Sequence, residues 1–89
     1  MQRQRICFTG RVQGVGFRAT ARHAASPFQV TGWVRNLPDG SVLMEVQGPA
    51  AEVRRYLGDL RSRLKGLIRA EDAHDIPPVD DETSFEIVR

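Results

Sequence analysis

Apolar positions change period several times along the chain, and each change marks an element. Ile6, Phe8 and Gly10 alternate with Arg5, Cys7 and Thr9. A period of two predicts a strand over residues 3–10. The stretch Gly10 to Gly16 breaks the alternation. From Phe17 the apolar positions are Phe17, Ala21, Ala24 and Phe28, the spacing of a helix with one narrow buried face. Pro27 ends that helix, because the residue before a proline avoids the helical region. Alternation returns over residues 30–36. Leu37-Pro38-Asp39-Gly40 then reads as a tight turn, with proline supplying the first turn dihedral and aspartate and glycine completing it. A third strand over residues 41–47 alternates Val42, Met44 and Val46 with Leu43, Glu45 and Gln47, so residues 30–47 form a hairpin. Gly48-Pro49 opens a second helix. Its buried stripe is Val53, Leu57, Leu60, Leu64 and Leu67. Arg54, Arg55, Asp59, Arg61 and Arg63 cover the other face, and Gly66 serves as a C-cap. Residues 67–72 read as a fourth strand. Residues 73–82, acidic and holding Pro77-Pro78, read as a loop, and residues 85–88 as a short final strand.

The order is β-α-β-β-α-β with one additional C-terminal strand. A hairpin between two helical crossovers is the split β-α-β arrangement. Both apolar helix stripes then pack on one face of an antiparallel or mixed sheet, which gives an α+β, two-layer α/β sandwich of the ferredoxin-like type. A length of 89 residues predicts one domain over 1–89. A chain of that size buries only roughly two-thirds of its unfolded surface. Its chemistry must therefore come from a loop or two on a small scaffold.

Charge sharpens the picture. Residues 1–40 hold six arginines against Asp39 alone, whereas residues 70–89 hold seven acids against Arg89. The positive half suits an anionic ligand. Cys7 is the only cysteine, which excludes an internal disulfide and a thiolate-rich metal site. His23 and His74 are too few and too scattered for a zinc site. No metal and no cofactor is expected. The N-terminus has no apolar signal region, and no run reaches transmembrane length, so a cytoplasmic location away from membranes is expected.

The segment with most chemical content is Gly10-Arg11-Val12-Gln13-Gly14-Val15-Gly16-Phe17-Arg18, between a strand and a helix N-terminus. The first amides of a helix lack intrahelical partners, and the helix dipole adds positive charge there. Glycines let the backbone curl so that several N–H groups converge on an anion. Arg18, in the first helical turn, can fold its two-pronged guanidinium over the same point. The segment lacks the Gly-Lys-Ser/Thr ending of a Walker loop and the spacing of a dinucleotide motif. A tight turn followed by a surface arginine would give the same pattern. Gly32-Trp33-Val34-Arg35-Asn36 ends the second strand, and the amide of Asn36 can orient a water without titrating.

These stretches, with Asp39-Gly40-Ser41-Val42, Val46-Gln47-Gly48 and Phe85-Glu86-Ile87-Val88, resemble the acylphosphatase family over nearly the whole chain. The resemblance implies a ferredoxin-like fold and hydrolysis of the carboxyl–phosphate bond of acyl phosphates without a metal. It implies that Arg18 and the backbone of Gln13, Gly14, Val15, Gly16, Phe17 and Arg18 hold the phosphate. It also implies that Asn36 positions the attacking water. The expected partners are a small-molecule acyl phosphate and inorganic phosphate, with no nucleic acid and no membrane, and a monomer is the simplest state. Gly16 stands where some members carry an aromatic residue.

Other residues have plainer readings. Phe17 and Trp33 suit packing, and Cys7 packs within the first strand. His23, His74, Arg11, Arg22 and Arg35 suit the solvated surface. Glu45 and Glu52 show no pairing suited to acid–base work. Two rival functions stand beside the main one. One is a non-catalytic acylphosphatase-like domain, as in hydrogenase-maturation carbamoyl-transfer proteins. The other is a ferredoxin-like RNA-binding module, which needs aromatic residues on a third strand that here carries none.

Overall fold

The structure, a computed structural model, describes residues 1–89. Its elements are β1 (Gln2–Gly10), α1 (Phe17–Ala25), β2 (Thr31–Asn36), β3 (Val42–Gly48), α2 (Ala50–Arg63), β4 (Ile68–Ile76) and β5 (Phe85–Ile87). They build one five-stranded sheet in the order β4-β1-β3-β2-β5. β3 is antiparallel to both β1 and β2, so β1 and β2 run parallel with β3 inserted between them. β4 is antiparallel to β1, and β5 adds to the edge of β2 in parallel. This is the split β-α-β arrangement with the extra strand that the sequence predicts.

The period-two pattern sends Ile6, Phe8, Val34, Val42, Met44 and Val46 to one face of the sheet, where all are fully buried. α1 meets them with Phe17, Ala21 and Ala24, and α2 with Val53, Tyr56, Leu57 and Leu60. The rings of Phe8 and Phe17 lie 5.0 Å apart. Tyr56 is the largest fully buried side chain. Its hydroxyl donates to the Ala21 carbonyl at 2.8 Å, so the two helices are joined by a hydrogen bond as well as by packing. Burial pushes the phenol far above its usual pKa. No helix is long and apolar enough to cross a membrane.

Several expectations need correction. Residues 73–76 are not loop, because β4 continues to Ile76 along β1. Strand propensity argues against Asp72, His74 and Asp75. At a sheet edge, however, charged side chains are tolerated and discourage pairing with other chains. Gln2 and Gln4 donate to the Asp75 carboxylate, which ties that end of β4 down. Arg35 is not a free surface charge. It is half-buried, its Nε atom has no hydrogen-bond partner, and its guanidinium lies 5.6 Å from the centre of the Trp33 ring. Glu45 is buried between two arginines, accepting from Arg3 at 2.9 Å and from Arg5 at 2.6 Å. Both contacts are ion pairs that tie Glu45 to β1.

That pair belongs to a network on the sheet face away from the helices. Arg3, only 2% exposed, also donates to Gln47 at 3.1 Å and to Glu82 at 2.8 and 3.1 Å. Thr31 donates to the same Glu82 carboxylate at 2.7 Å. Gln47 exchanges two hydrogen bonds with the backbone of Val79. The acidic segment 77–84 is thereby strapped across the end of the sheet that carries Arg3, Gln47 and Thr31.

Candidate active site

The chain leaves β1 at Gly10, turns through residues 11–16 and enters α1. Gly14 has φ +75° and Gly16 has φ +78°. Both values lie in the left-handed region that glycine reaches at no steric cost. A Cβ at either position would meet nothing within 4 Å, so backbone conformation rather than crowding calls for glycine here. Gly16 is the N-cap of α1, and no side chain caps the helix. The amides of its first turn are therefore left for another acceptor.

A cavity of about 350 Å³ opens at this helix end. That is near the lower limit for ligand pockets, which run from about 300 to 1,000 Å³. Gly14, Gly16, Arg18 and Asn36 line it, together with the apolar side chains of Val12, Phe17 and Ile87. Asn36 reaches it because it sits in register with Val42 at the end of β2, on the helix-bearing face. The Asn36 Oδ1 atom is buried and has no hydrogen-bond partner. A buried acceptor left unpaired costs about 1–3 kcal/mol, which marks Asn36 out among the lining residues. Arg18 is half-buried and forms no ion pair with a carboxylate. Neither a carboxylate nor a histidine lines the cavity.

Of the six residues expected to form the cradle, Gly14, Gly16, Phe17 and Arg18 line the cavity and Gln13 and Val15 do not. Val15 packs against the core. The Gln13 side chain turns to the β2–β3 turn, donating to the carbonyls of Leu37 at 2.8 Å and Ser41 at 2.9 Å. Four lining residues lie outside the predicted set: Val12 and Ala19, which flank the cradle in sequence, and Ile87 and Arg89 from the C-terminal tail. Ile87 pairs with Val34 on β2, and only the parallel addition of β5 brings this tail to the site. The turn that follows Asn36 closes with the Gly40 amide donating to the Leu37 carbonyl at 3.1 Å. Asp39 accepts from the Ser41 hydroxyl and from the Ser41 amide, and these bonds hold its carboxyl below the usual range.

Comparisons with known proteins place the chain as a whole. The family model for acylphosphatase matches residues 4–87. An acylphosphatase of Clostridium acetobutylicum is 40% identical, covering 99% of this chain and 98% of its own length. The crystal structure of acylphosphatase from Bacillus subtilis superposes with a TM-score of 0.90 at 28% identity, covering all of both chains. T. kodakarensis HypF contains a similar unit, with a TM-score of 0.85 at 27% identity, over 100% of this chain but 12% of that one. The match of nearly equal length, and not only the match to a part of a larger protein, sets the frame for the site: the chain belongs to the acylphosphatase family.

Proposed function

We propose that the cavity at the start of α1 hydrolyses the carboxyl–phosphate bond of acyl phosphates. The supporting observation is the meeting of Arg18, the uncapped start of α1 and Asn36 on one cavity. Arg18 and the amides from Gly14 to Arg18 hold the phosphoryl oxygens and offset the charge that builds on them. Asn36 accepts a hydrogen bond from a water and aims its oxygen at phosphorus. The new bond forms between that oxygen and phosphorus. The bond from phosphorus to the acyl oxygen breaks, and carboxylate leaves with the bonding pair. The water proton passes to a phosphoryl oxygen, because the cavity lining offers no carboxylate or histidine to take it. A carboxylate leaves readily, so positioning and charge stabilisation carry most of the catalysis. The positive charge comes from Arg18 and the helix, and the reading requires no metal.

The proposed working unit is one chain acting on a small molecule. An RNA-binding role has less support. On the open sheet face β1 and β3 present Arg3, Arg5, Cys7, Leu43, Glu45 and Gln47, none of them aromatic, and Trp33 of β2 is half-buried beside Arg35. Three of these, Arg3, Glu45 and Gln47, are buried.

Hydrolysis of benzoyl phosphate in the presence of a chelator tests the reading. Activity should survive chelation, and a strict metal requirement would sink the mechanism. Asn36→Ala should lower turnover by roughly 100-fold or more, as for loss of one oriented polar group. Competitive binding of inorganic phosphate should persist in that variant. Preserved turnover in folded Asn36→Ala would remove the water-orienting role.

A further inference from the structure

Gln13 stands in the middle of the cradle loop, yet its side chain does not line the cavity. Its Nε2 atom donates to the Leu37 carbonyl at 2.8 Å and to the Ser41 carbonyl at 2.9 Å. These carbonyls lie on either side of the β2–β3 turn, and Leu37 directly follows Asn36. No other side-chain hydrogen bond joins residues 11–18 to residues 36–41. One amide thus couples the loop leading to Arg18 with the strand end carrying Asn36.

The two carbonyls do not depend on Gln13 for a partner. The Leu37 carbonyl also accepts from the Gly40 amide at 3.1 Å, and the Ser41 carbonyl from the Leu37 amide at 2.9 Å. Without Gln13 neither would be orphaned, so what the side chain adds is alignment. The loop needs such a constraint, because Gly14 and Gly16 give its backbone unusual freedom.

We infer that Gln13 is a positioning residue for hydrolysis: its side-chain amide sets the placement of Asn36 relative to the phosphate cradle. The inference rests on the water-orienting role proposed for Asn36. The grip on phosphate comes from Arg18 and the amides from Gly14 to Arg18, and the Gln13 side chain bonds to none of these. Displacing Asn36 therefore moves the water against phosphorus and leaves the phosphate held. A shift of about 1 Å in such a geometry can cost about 100-fold in rate.

Gln13→Met keeps the length of the side chain and removes both donors. Expected is a fall in kcat for benzoyl phosphate of about 10- to 100-fold. The inhibition constant of inorganic phosphate should not change. In an Asn36→Ala background the same substitution should cause no further fall in kcat, because the water is already unplaced. A merely structural role would give the same factor in both backgrounds. That result overturns the inference, as does an unchanged kcat in folded Gln13→Met or a loss of phosphate binding that matches the loss of rate. If Gln13→Met fails to fold, Gln13→Asn, whose amide falls one methylene short, carries the same expectations. Wild-type kcat in Asn36→Ala alone would instead show that the underlying reading had failed, whatever Gln13 does.

Discussion

Arg18→Gln should make the chain more stable while abolishing most of its activity. α1 begins with none of the usual supports. Its N-cap is a left-handed glycine, no side chain caps it, and no acidic residue lies in its first turn. The one charge there is Arg18, a cation at the positive end of the helix dipole. By contrast, α2 carries Glu52 in its first turn. A charge at a helix terminus contributes about 0.3–1 kcal/mol, and its sign here is unfavourable. Glutamine has nearly the helix propensity of arginine. Arg18 forms no ion pair whose loss would offset the gain. Arg18→Gln is therefore expected to raise the unfolding free energy by about 0.3–1 kcal/mol. For a domain of this size that is a rise of roughly 1–8 °C in Tm.

The functional cost is far larger. A charge-stabilising arginine in phosphoryl transfer supplies ~10³-fold or more, equivalent to about 4 kcal/mol of barrier. The assay is urea unfolding of wild type and variant, with and without inorganic phosphate, beside benzoyl phosphate kinetics on the same preparations. Phosphate at 100 times its Kd should stabilise the wild type by about 2.7 kcal/mol and should do little for the variant at that concentration. If Arg18→Gln lowers stability in phosphate-free buffer, Arg18 is a structural residue and the argument fails. Undiminished stabilisation of the variant by phosphate would refute the cradle.

Other outcomes follow from the same geometry. Arg3→Met should cost about 3 kcal/mol, the low end for breaking a buried ion pair. Glu45 keeps Arg5 and Glu82 keeps Thr31, which limits the loss. The kcat of the folded fraction should hold, because Arg3 lies on the sheet face opposite the cavity, and a parallel fall in kcat would contradict this. Burial raises the Glu82 pKa, but bonds from Arg3 and Thr31 and the Arg3 charge outweigh it, leaving the carboxyl below its usual range. Its contribution is then full above the unfolded value of about 4.3 and is lost as pH falls through the lower folded value. Glu82→Gln should flatten that acid-side loss, read from urea midpoints against pH, and an unaltered profile would count against the strap. Arg89→Gln should raise KM for benzoyl phosphate and weaken the salt dependence of kcat/KM while kcat holds. A fall in kcat alone would place Arg89 in the chemistry instead.

The fold and half of the site were legible because their signals are local. Alternation in β1, β2 and β3 follows from one buried face, and the helical stripes follow from the same core. Gly14, Gly16 and Arg18 were legible because backbone curvature and a helix N-terminus need neighbours in sequence only. Tyr56, absent from the predicted stripe, fits the spacing of Val53, Leu57 and Leu60 and is fully buried with them. The Gln13 bond, the entry of Ile87 and Arg89 into the cavity, and the Arg3–Glu82 pair have no such local signal. Each joins segments whose distance along the chain is bridged only by the completed sheet.

The charge asymmetry takes on a different meaning in the folded chain. An arginine-rich first half suggests a general attraction for anions, yet several arginines are neutralised by specific acids. Arg3 and Arg5 meet Glu45 and Glu82, Arg61 meets Glu71, and Arg63 meets Asp59. Of the acids of the last third, Asp75 binds along β1, Glu71 meets α2 and Glu82 binds on the open sheet face, and no acid side chain lines the cavity. The cavity receives two of the seven arginines that meet no carboxylate, Arg18 and Arg89. Selectivity for a phosphoryl group thus arises as much from where the fold sends its carboxylates as from where it sends its arginines. An acid in the cavity lining, as in Ala19→Asp in the first turn of α1, would test that balance while leaving Arg18 and Asn36 in place. It would support the first turn of α1 through the helix dipole and oppose an anionic substrate at the same point. Stability should rise and kcat/KM fall, most strongly at low salt.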